Sequence, residues 1–260
     1  TVADGGVLTV NDDLINNGFF TQTGGTVTFP GTSTQTVSGT STTAFTQVEV
    51  DNANGLTLNS GVEVAEKLTL TAGTLTSNDN LSLKSTQDNT AYIVYGTGST
   101  SGNVTMERIA RDNSGDLGIY IGTGRRFISA PTSNATVGTI NGFAPMLDSA
   151  AVFKTSGPAT LAPANMPNIF LYDETRIGTS DPFSKGWVAP ENATDALAPG
   201  IGFAIEMEQD SVVSISGPLN SGQVDVAVTN NAGNADFSSG WALLGNPYPS
   251  PLALNTFMTD

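Results

Sequence analysis

The stretch Thr26–Val50 reads TVTFPGTSTQTVSGTSTTAFTQVEV, and it decides the fold class. Hydroxyl residues alternate in it with apolar residues, which is typical of a strand with one buried and one solvated face. Threonine is β-branched and suits such a pleated surface. The stretch therefore predicts β-structure with a hydroxylated outer face.

The apolar pairs of this stretch recur along the first third of the chain, at a step of roughly 20 residues. One series is Leu8 with Val10, Val27 with Phe29, Val48 with Val50, and Leu68 with Leu70. A second series is Val37, Leu56 with Leu58, and Leu75, and a third is Val62 with Val64 and Leu81 with Leu83. Three staggered series predict about three short strands per coil of a parallel β-helix, or solenoid, over residues 1–88. An antiparallel sandwich of the same strands is the alternative.

The remaining residues, 89–260, have a different pattern. Strand-like runs of variable length alternate with loops rich in Gly, Pro, Asn and Asp, and most aromatic residues lie here. This pattern predicts an antiparallel β-sandwich or jelly-roll-like domain, truncated at its C-terminal end. The run PMLDSAAVF is interpreted as a short helix or a turn. The whole chain is therefore predicted to be all-β, and to be a piece of a longer protein.

Composition excludes several classes of function. The 260 residues include 24 Asp and Glu against 9 Lys and Arg, with no Cys and no His. This acidic balance argues against nucleic acid and against an anionic membrane surface as partners. Without Cys and His there is no Cys nucleophile, no Ser-His-Asp triad and no ordinary zinc site. No apolar run is long enough to span a bilayer, so membrane insertion is not expected.

Catalysis by carboxylates is not favoured either. The acidic residues of the first third are scattered along the chain: Asp12, Asp13, Glu49, Asp51, Glu63 and Glu66. Some polysaccharide lyases built on β-helices cluster acids that bind Ca²⁺ beside an Arg or Lys that acts as the base. No Arg precedes Arg108, and only Lys67 and Lys84 are available. The chain is therefore predicted not to be an enzyme.

Calcium is the one cofactor that the sequence suggests. The loop DNSGDLG holds Asp112, Asn113 and Asp116, whose oxygens at short spacing suit Ca²⁺. A second, equally loose set is Asn230, Asn231, Asn234 and Asp236. Ordinary turns that these side chains stabilise explain both loops as well.

Arg125 and Arg126 are expected to form structural salt bridges with acids such as Asp173 and Glu174.

Two surfaces have a functional interpretation and a structural one. Exposed aromatic residues can form a platform for sugars, and the candidates are Trp187, Trp241, Tyr172, Tyr248 and Phe183. Both tryptophans follow a glycine at the start of a strand pattern, which favours packing in a core or at a domain junction.

The outward threonines are interpreted as a solvated surface. An ice-binding face would need a flat threonine grid, and Gln47, Glu49, Glu63 and Lys84 interrupt one.

Several motifs resemble one family of proteins. GTVTFPGTSTQTVSGTSTTAFTQVEVDNANGLTLNSGVEVAEKLTLTAGTL resembles the solenoid repeats of large exported surface proteins of the Bacteroidetes, commonly cargo of the type IX secretion system. VTMERIA, GRRFISAPTSNATVGTI, IFLYDE, GWVAPENATDALAPGIGFAI and GWALLGNPYPSPLALN resemble the domain that follows in them. The last of these, from Gly240 to Pro251, is the most specific. The resemblance implies an extracellular or outer-surface location, with adhesion as the usual suggestion.

The resemblance also implies sites and partners. Bacteroidetes attach O-glycans where Asp is followed by Ser or Thr and a small or aliphatic residue, which makes Ser149 and Ser211 candidate acceptors. The expected function is a non-enzymatic structural or adhesive surface protein. A secreted glycan-binding or glycan-degrading protein is the alternative, and an ice-binding solenoid is a further one. Expected partners are extracellular glycans and other domains or copies of a surface protein. The second expectation arises because GGVLTV has no obvious cap before it.

Overall fold

A computed structural model describes residues 1–110, 124–153, 166–173, 175, 186–207, 209–228 and 241–253. The chain divides into two compact units. The first contains Thr1–Ile109, Ser216–Leu219 and the stretch that begins at Tyr248, and the second contains Ala110–Ile215 and Asn220–Pro247. No helix in the described ranges is long and apolar enough to cross a membrane.

Among its described residues, the first unit contains twelve strands in chain order, besides the end of a later strand that begins in the second unit. They are β1 (Val7–Thr9), β2 (Leu14–Ile15), β3 (Thr26–Phe29), β4 (Gln35–Ser38), β5 (Thr43–Asp51), β6 (Leu56–Leu58), β7 (Val62–Ala72), β8 (Thr74–Thr76), β9 (Leu81–Leu83), β10 (Tyr92–Tyr95), β11 (Ser99–Ser101) and β12 (Asn103–Ala110). These strands pair with one another in parallel, for example β3 with β5 and β4 with β6. The predicted parallel solenoid is therefore confirmed, and the antiparallel alternative for this region is wrong.

The register confirms the three predicted series. In the first ladder, Leu8 pairs with Val27, Val27 with Val48, Val48 with Leu68, and Leu68 with Ile93. In the second, Val37 pairs with Leu58 and Leu56 pairs with Leu75. In the third, Val62 pairs with Leu81 and Val64 pairs with Leu83. A register shift between Phe45 and Gln47 separates the parts of β5 that belong to the third and the first ladder.

The inward residues form one continuous apolar core. It includes Phe29, Val50, Leu70 and Leu83, all of them fully buried, and continues to Val104 and Met106. Phe45 contacts Phe20 and Phe29 edge to face, at centroid distances of 5.4 and 6.1 Å. The outward threonines, among them Thr28, Thr57 and Thr69, alternate with this core and are half-exposed.

The coils continue past the boundary predicted at residue 88. Parallel pairing extends to β10, β11 and β12. The step widens to 25 residues, from Lys67 to Tyr92, where earlier coils advance by 19 to 21 in this ladder. The added length forms a turn in which the Thr86 amide donates to the Asn89 carbonyl at 2.7 Å. The runs AYIVYG and NVTMERIA, predicted as antiparallel strands, are therefore solenoid strands.

The second unit contains the antiparallel sheet that the sequence predicts. Its elements are β13 (Gly124–Ser129), a 3-10 turn at Val137–Thr139, β14 (Ile140–Asn141), β15 (Ile169–Tyr172), β16 (Trp187–Val188), β17 (Gly202–Met207) and β18 (Ser211–Pro218), whose last residues belong to the first unit. Four of the strands form a sheet in the order β13-β17-β15-β16, and β14 pairs with β18. The run PMLDSAAVF contains a turn in which the Ala151 amide donates to the Asp148 carbonyl at 2.7 Å.

Candidate functional site

The predicted calcium loops lie outside the described residues. This holds for Asp112, Asn113 and Asp116, and for the second set of Asn230, Asn231, Asn234 and Asp236. Within the described ranges, no three His, Cys, Asp or Glu side chains lie close enough to hold a metal ion together. Calcium binding at the two loops stays a prediction.

Two of the basic residues, Lys84 and Arg125, take part in ion pairs. Lys84 Nζ lies 3.4 Å from Glu63 and contacts Glu107, and the hydrogen bond to Glu107 raises the pKa of this lysine. A lysine held in its protonated form cannot abstract a proton from a substrate. Arg125 forms a structural ion pair as predicted, with Glu206 directly opposite on β17, whereas the prediction named Asp173 and Glu174, of which Glu174 lies outside the described residues.

The two candidate glycan acceptors differ in exposure. Ser149 is exposed and lies in the turn that follows the buried Asp148. Ser211 is half-buried at the start of β18, and its hydroxyl donates to the Gly142 carbonyl at 3.1 Å. A bulky glycan needs an exposed attachment point, which Ser149 provides better than Ser211. Both sites stay predictions.

Residues 241–247 of the motif GWALLGNPYPSP belong to the second unit, and its described residues from Tyr248 belong to the first. The Gly202 amide donates to Leu243, and the Gly245 amide donates to Gly200, each at 2.9 Å. Gly245 lies so close to Ser129 that a Cβ atom would be 2.3 Å from the serine Cβ, which only glycine avoids. The Ser129 hydroxyl then donates to Asn246 at 2.6 Å. These contacts hold in place the extended segment that begins at Trp241.

An aromatic cleft opens beside this segment. It has a volume of about 160 Å³, and we define it by nine lining residues: Tyr172, Asp173, Ile201, Ala227, Val228, Trp241, Ala242, Leu243 and Leu244. An antiparallel bridge between Ile201 and Leu244 brings the motif beside the residues before β17. Six of the nine lining side chains are aliphatic, and the others are one carboxylate and two aromatic rings, a combination found in small-molecule sites.

The two tryptophans have different roles. Trp187 is half-buried, contacts Phe170 and Tyr172 edge to face, and lies under the Arg125 guanidinium at 5.1 Å, so the packing interpretation is confirmed for it. Trp241 is 66% exposed and lines the cleft, so the packing interpretation is wrong for it. Of the other aromatic candidates, Tyr172 lines the cleft, Tyr248 belongs to the first unit, and Phe183 is not described.

The first unit carries outward hydroxyl residues on a sheet different from the one that holds the charged residues. The sequence pattern alone treats both sheets as one surface. In the second ladder, Thr36, Thr57, Thr76 and Ser101 are direct neighbours in register. The other outward residues of β4, β8 and β11 are Ser38, Thr74 and Ser99. The interrupting residues Glu49 and Glu63 belong to the first and third ladders, on β5 and β7. We call these outward hydroxyl residues of β4, β6, β8 and β11 the hydroxyl face; Asp13, whose carboxylate accepts from the Thr36 amide at 2.8 Å, lies at its edge.

Comparison of the chain with known protein families, with curated proteins and with solved structures finds no match. The function proposed below therefore depends on the geometry of the two units.

Proposed function

We propose that the chain is a non-enzymatic extracellular surface protein with a structural or adhesive role, and that its solenoid associates through its first coil. The observation that carries this proposal is the apolar edge of that coil. Val7 is 70% exposed, and Ile15 and Phe19 are exposed with it. Exposed apolar residues on edge strands favour pairing with another chain.

Two strands of the last coil of the solenoid contact later segments of the first unit. Within the first unit, the Thr105 hydroxyl donates to Ser216 at 3.2 Å, and the Ser250 hydroxyl donates to the Ile93 carbonyl at 2.7 Å. Capped ends of this kind are what keeps a solenoid soluble. The difference between the two ends supports association at the first coil. The net charge of −15 is consistent with a well-solvated chain.

We expect the purified chain to self-associate with rising concentration, and Val7→Lys to shift it to monomer, because lysine on an edge strand opposes pairing. Static light scattering over a concentration series measures the effect. Val94→Lys is the matched control, since Val94 is also exposed but lies in the last coil, and it should behave like the parent. A parent chain that is monomeric at every concentration contradicts the proposal.

The hydroxyl face favours a second candidate function, the ordering of water and the binding of ice. Hydroxyl groups on neighbouring stacked strands lie about 4.8 Å apart, and those on alternate residues of one strand lie about 6.7 Å apart. A regular grid of hydroxyl groups without charges is the feature that such a surface requires. One continuous column of the face, Thr36, Thr57, Thr76 and Ser101, supplies such a row of hydroxyl groups across β4, β6, β8 and β11.

If the hydroxyl face binds ice, the chain should slow ice recrystallisation, and Thr57→Lys should remove most of that effect by placing a charge in the grid. Ice-crystal size after annealing gives the measurement. Thr69→Lys is the matched control, because Thr69 is equally half-exposed but pairs with Glu49 on the charged first ladder. No inhibition by the parent, or equal inhibition by both variants, excludes this second function.

A further inference from the structure

We propose that the aromatic cleft binds one neutral hexopyranose ring, the terminal unit of an extracellular glycan. This inference rests on the proposed adhesive role and deepens it, since it names the class of ligand that adhesion would use. It uses only the described residues that line the cleft, chiefly Tyr172, Asp173 and Trp241.

The size of the cleft selects the size of the ligand. Pockets for drug-sized molecules have volumes of roughly 300–1,000 Å³. The aromatic cleft, at about 160 Å³, is smaller and suits a single six-membered ring with its substituents. A terminal sugar enters such a cleft without the rest of the glycan. The cleft therefore fits the end of a chain better than an internal segment.

The aromatic wall suits the apolar face of a sugar. Trp241 presents an exposed indole, whose negative ring face attracts the polarised C–H groups of a pyranose. Tyr172 is held against Trp187 at 5.4 Å, edge to face. Gly186 makes this placement possible, because a Cβ there would lie 2.6 Å from the tyrosine ring. A wall fixed in advance lowers the entropy cost of binding.

Asp173 supplies the polar contact. Its amide donates to the Gly186 carbonyl at 2.7 Å, which fixes the backbone. Thr175 donates to Oδ1 of Asp173 from its amide at 2.9 Å and from its hydroxyl at 2.6 Å. Among the described residues, these two hydrogen bonds both fall on Oδ1, so Oδ2 can accept bonds from sugar hydroxyls. Hydrogen bonds to a carboxylate are stronger than bonds between neutral groups.

Charge decides between classes of sugar. A carboxylate in the cleft repels a ligand that carries a carboxylate of its own, and the chain as a whole has a net charge of −15. Uronic and sialic acids are therefore disfavoured. Neutral hexoses gain the hydrogen bonds without this repulsion. The proposal commits to neutral hexopyranoses for that reason.

Ligand-observed NMR titration of the whole chain with methyl glycosides of glucose, galactose and mannose tests the proposal. We expect at least one to bind with a dissociation constant on the order of 1 mM, the range for so small a ligand. Methyl glucuronide should bind about tenfold more weakly than the preferred neutral sugar. Trp241→Ala should weaken binding at least about tenfold, because it removes the stacking surface.

Two further variants control the test. Tyr95→Ala removes an exposed aromatic ring of the first unit and should leave sugar binding unchanged. Asp173→Asn keeps an oxygen that can accept from Thr175 but removes the negative charge. It should weaken the binding of the neutral sugar and narrow the difference in affinity between the neutral sugar and methyl glucuronide. The proposal is overturned if no neutral hexoside binds, or if Trp241→Ala binds as tightly as the parent. Self-association through the first coil is measured without sugar, so the proposed function and this inference can fail separately.

Discussion

Leu68→Asp is expected to abolish the folded solenoid. Leu68 is only 1% exposed and lies in register between Val48 and Ile93 in the middle of the first ladder. A carboxylate at this position would be buried without a partner, at a cost of several kcal/mol. Domains have a total free energy of unfolding of about 5–15 kcal/mol, so this single change removes much or all of it.

Hydrogen exchange across the first unit, combined with chemical denaturation, measures this effect. Leu8→Asp is the matched control, because Leu8 belongs to the same ladder but is 36% exposed in the first coil. We expect it to cost far less than the same change at position 68. Leu68→Ala should lower the free energy of unfolding by about 2–5 kcal/mol, since it leaves a cavity without adding a charge. A Leu68→Asp chain as stable as the parent would disprove the assignment of this ladder.

Gln35→Leu is expected to destabilise the first unit by about 3 kcal/mol, because it leaves several buried polar groups without partners. The Gln35 side chain is buried at the start of β4. Its Nε2 donates to the carbonyls of Val10 and Asp12 at 2.7 and 2.8 Å. Its Oε1 accepts from the Gly31 amide and from Asn52 Nδ2, each at 3.0 Å. A leucine of similar size satisfies none of the four bonds.

Chemical denaturation of the parent and the variant gives the difference. Gln47→Leu is the matched control, since Gln47 is half-exposed on the outer surface and its amide donates to Glu66 at 2.8 Å. Surface changes of this kind usually alter stability by less than about 0.5 kcal/mol. Equal stability of the two variants would show that the buried network around Gln35 contributes no more than a surface contact.

The repeat made most of the first unit predictable. Alternation and a nearly constant step placed Val27, Val48 and Leu68 in one ladder, because a parallel coil must return the same face to the core at each turn. The prediction stopped at residue 88, where the turn after β9 lengthens the step to 25 residues. A constant step of about 20 residues could not predict the strands of a coil that is 25 residues long.

The candidate site was less predictable, for a physical reason. The sequence named both tryptophans and Tyr172 as candidates but assigned the same environment to Trp187 and Trp241, since each follows a glycine before a strand pattern. Only the pairing of distant segments separates them. Trp187 pairs with Tyr172 across β15 and β16, whereas Trp241 starts a segment that lines the cleft.

The sequence by itself determined the all-β class, the parallel coils and the acidic, cysteine-free surface, because these depend on local alternation, period and composition. The tertiary structure alone decided that Gln35 bonds to Val10, Asp12, Gly31 and Asn52 inside a corner of the coil. It also decided that Arg125 pairs with Glu206 and that Asp173 lies beside Trp241. All of these contacts except the one to Gly31 join residues far apart in the chain, and their geometry depends on register, which no local pattern specifies.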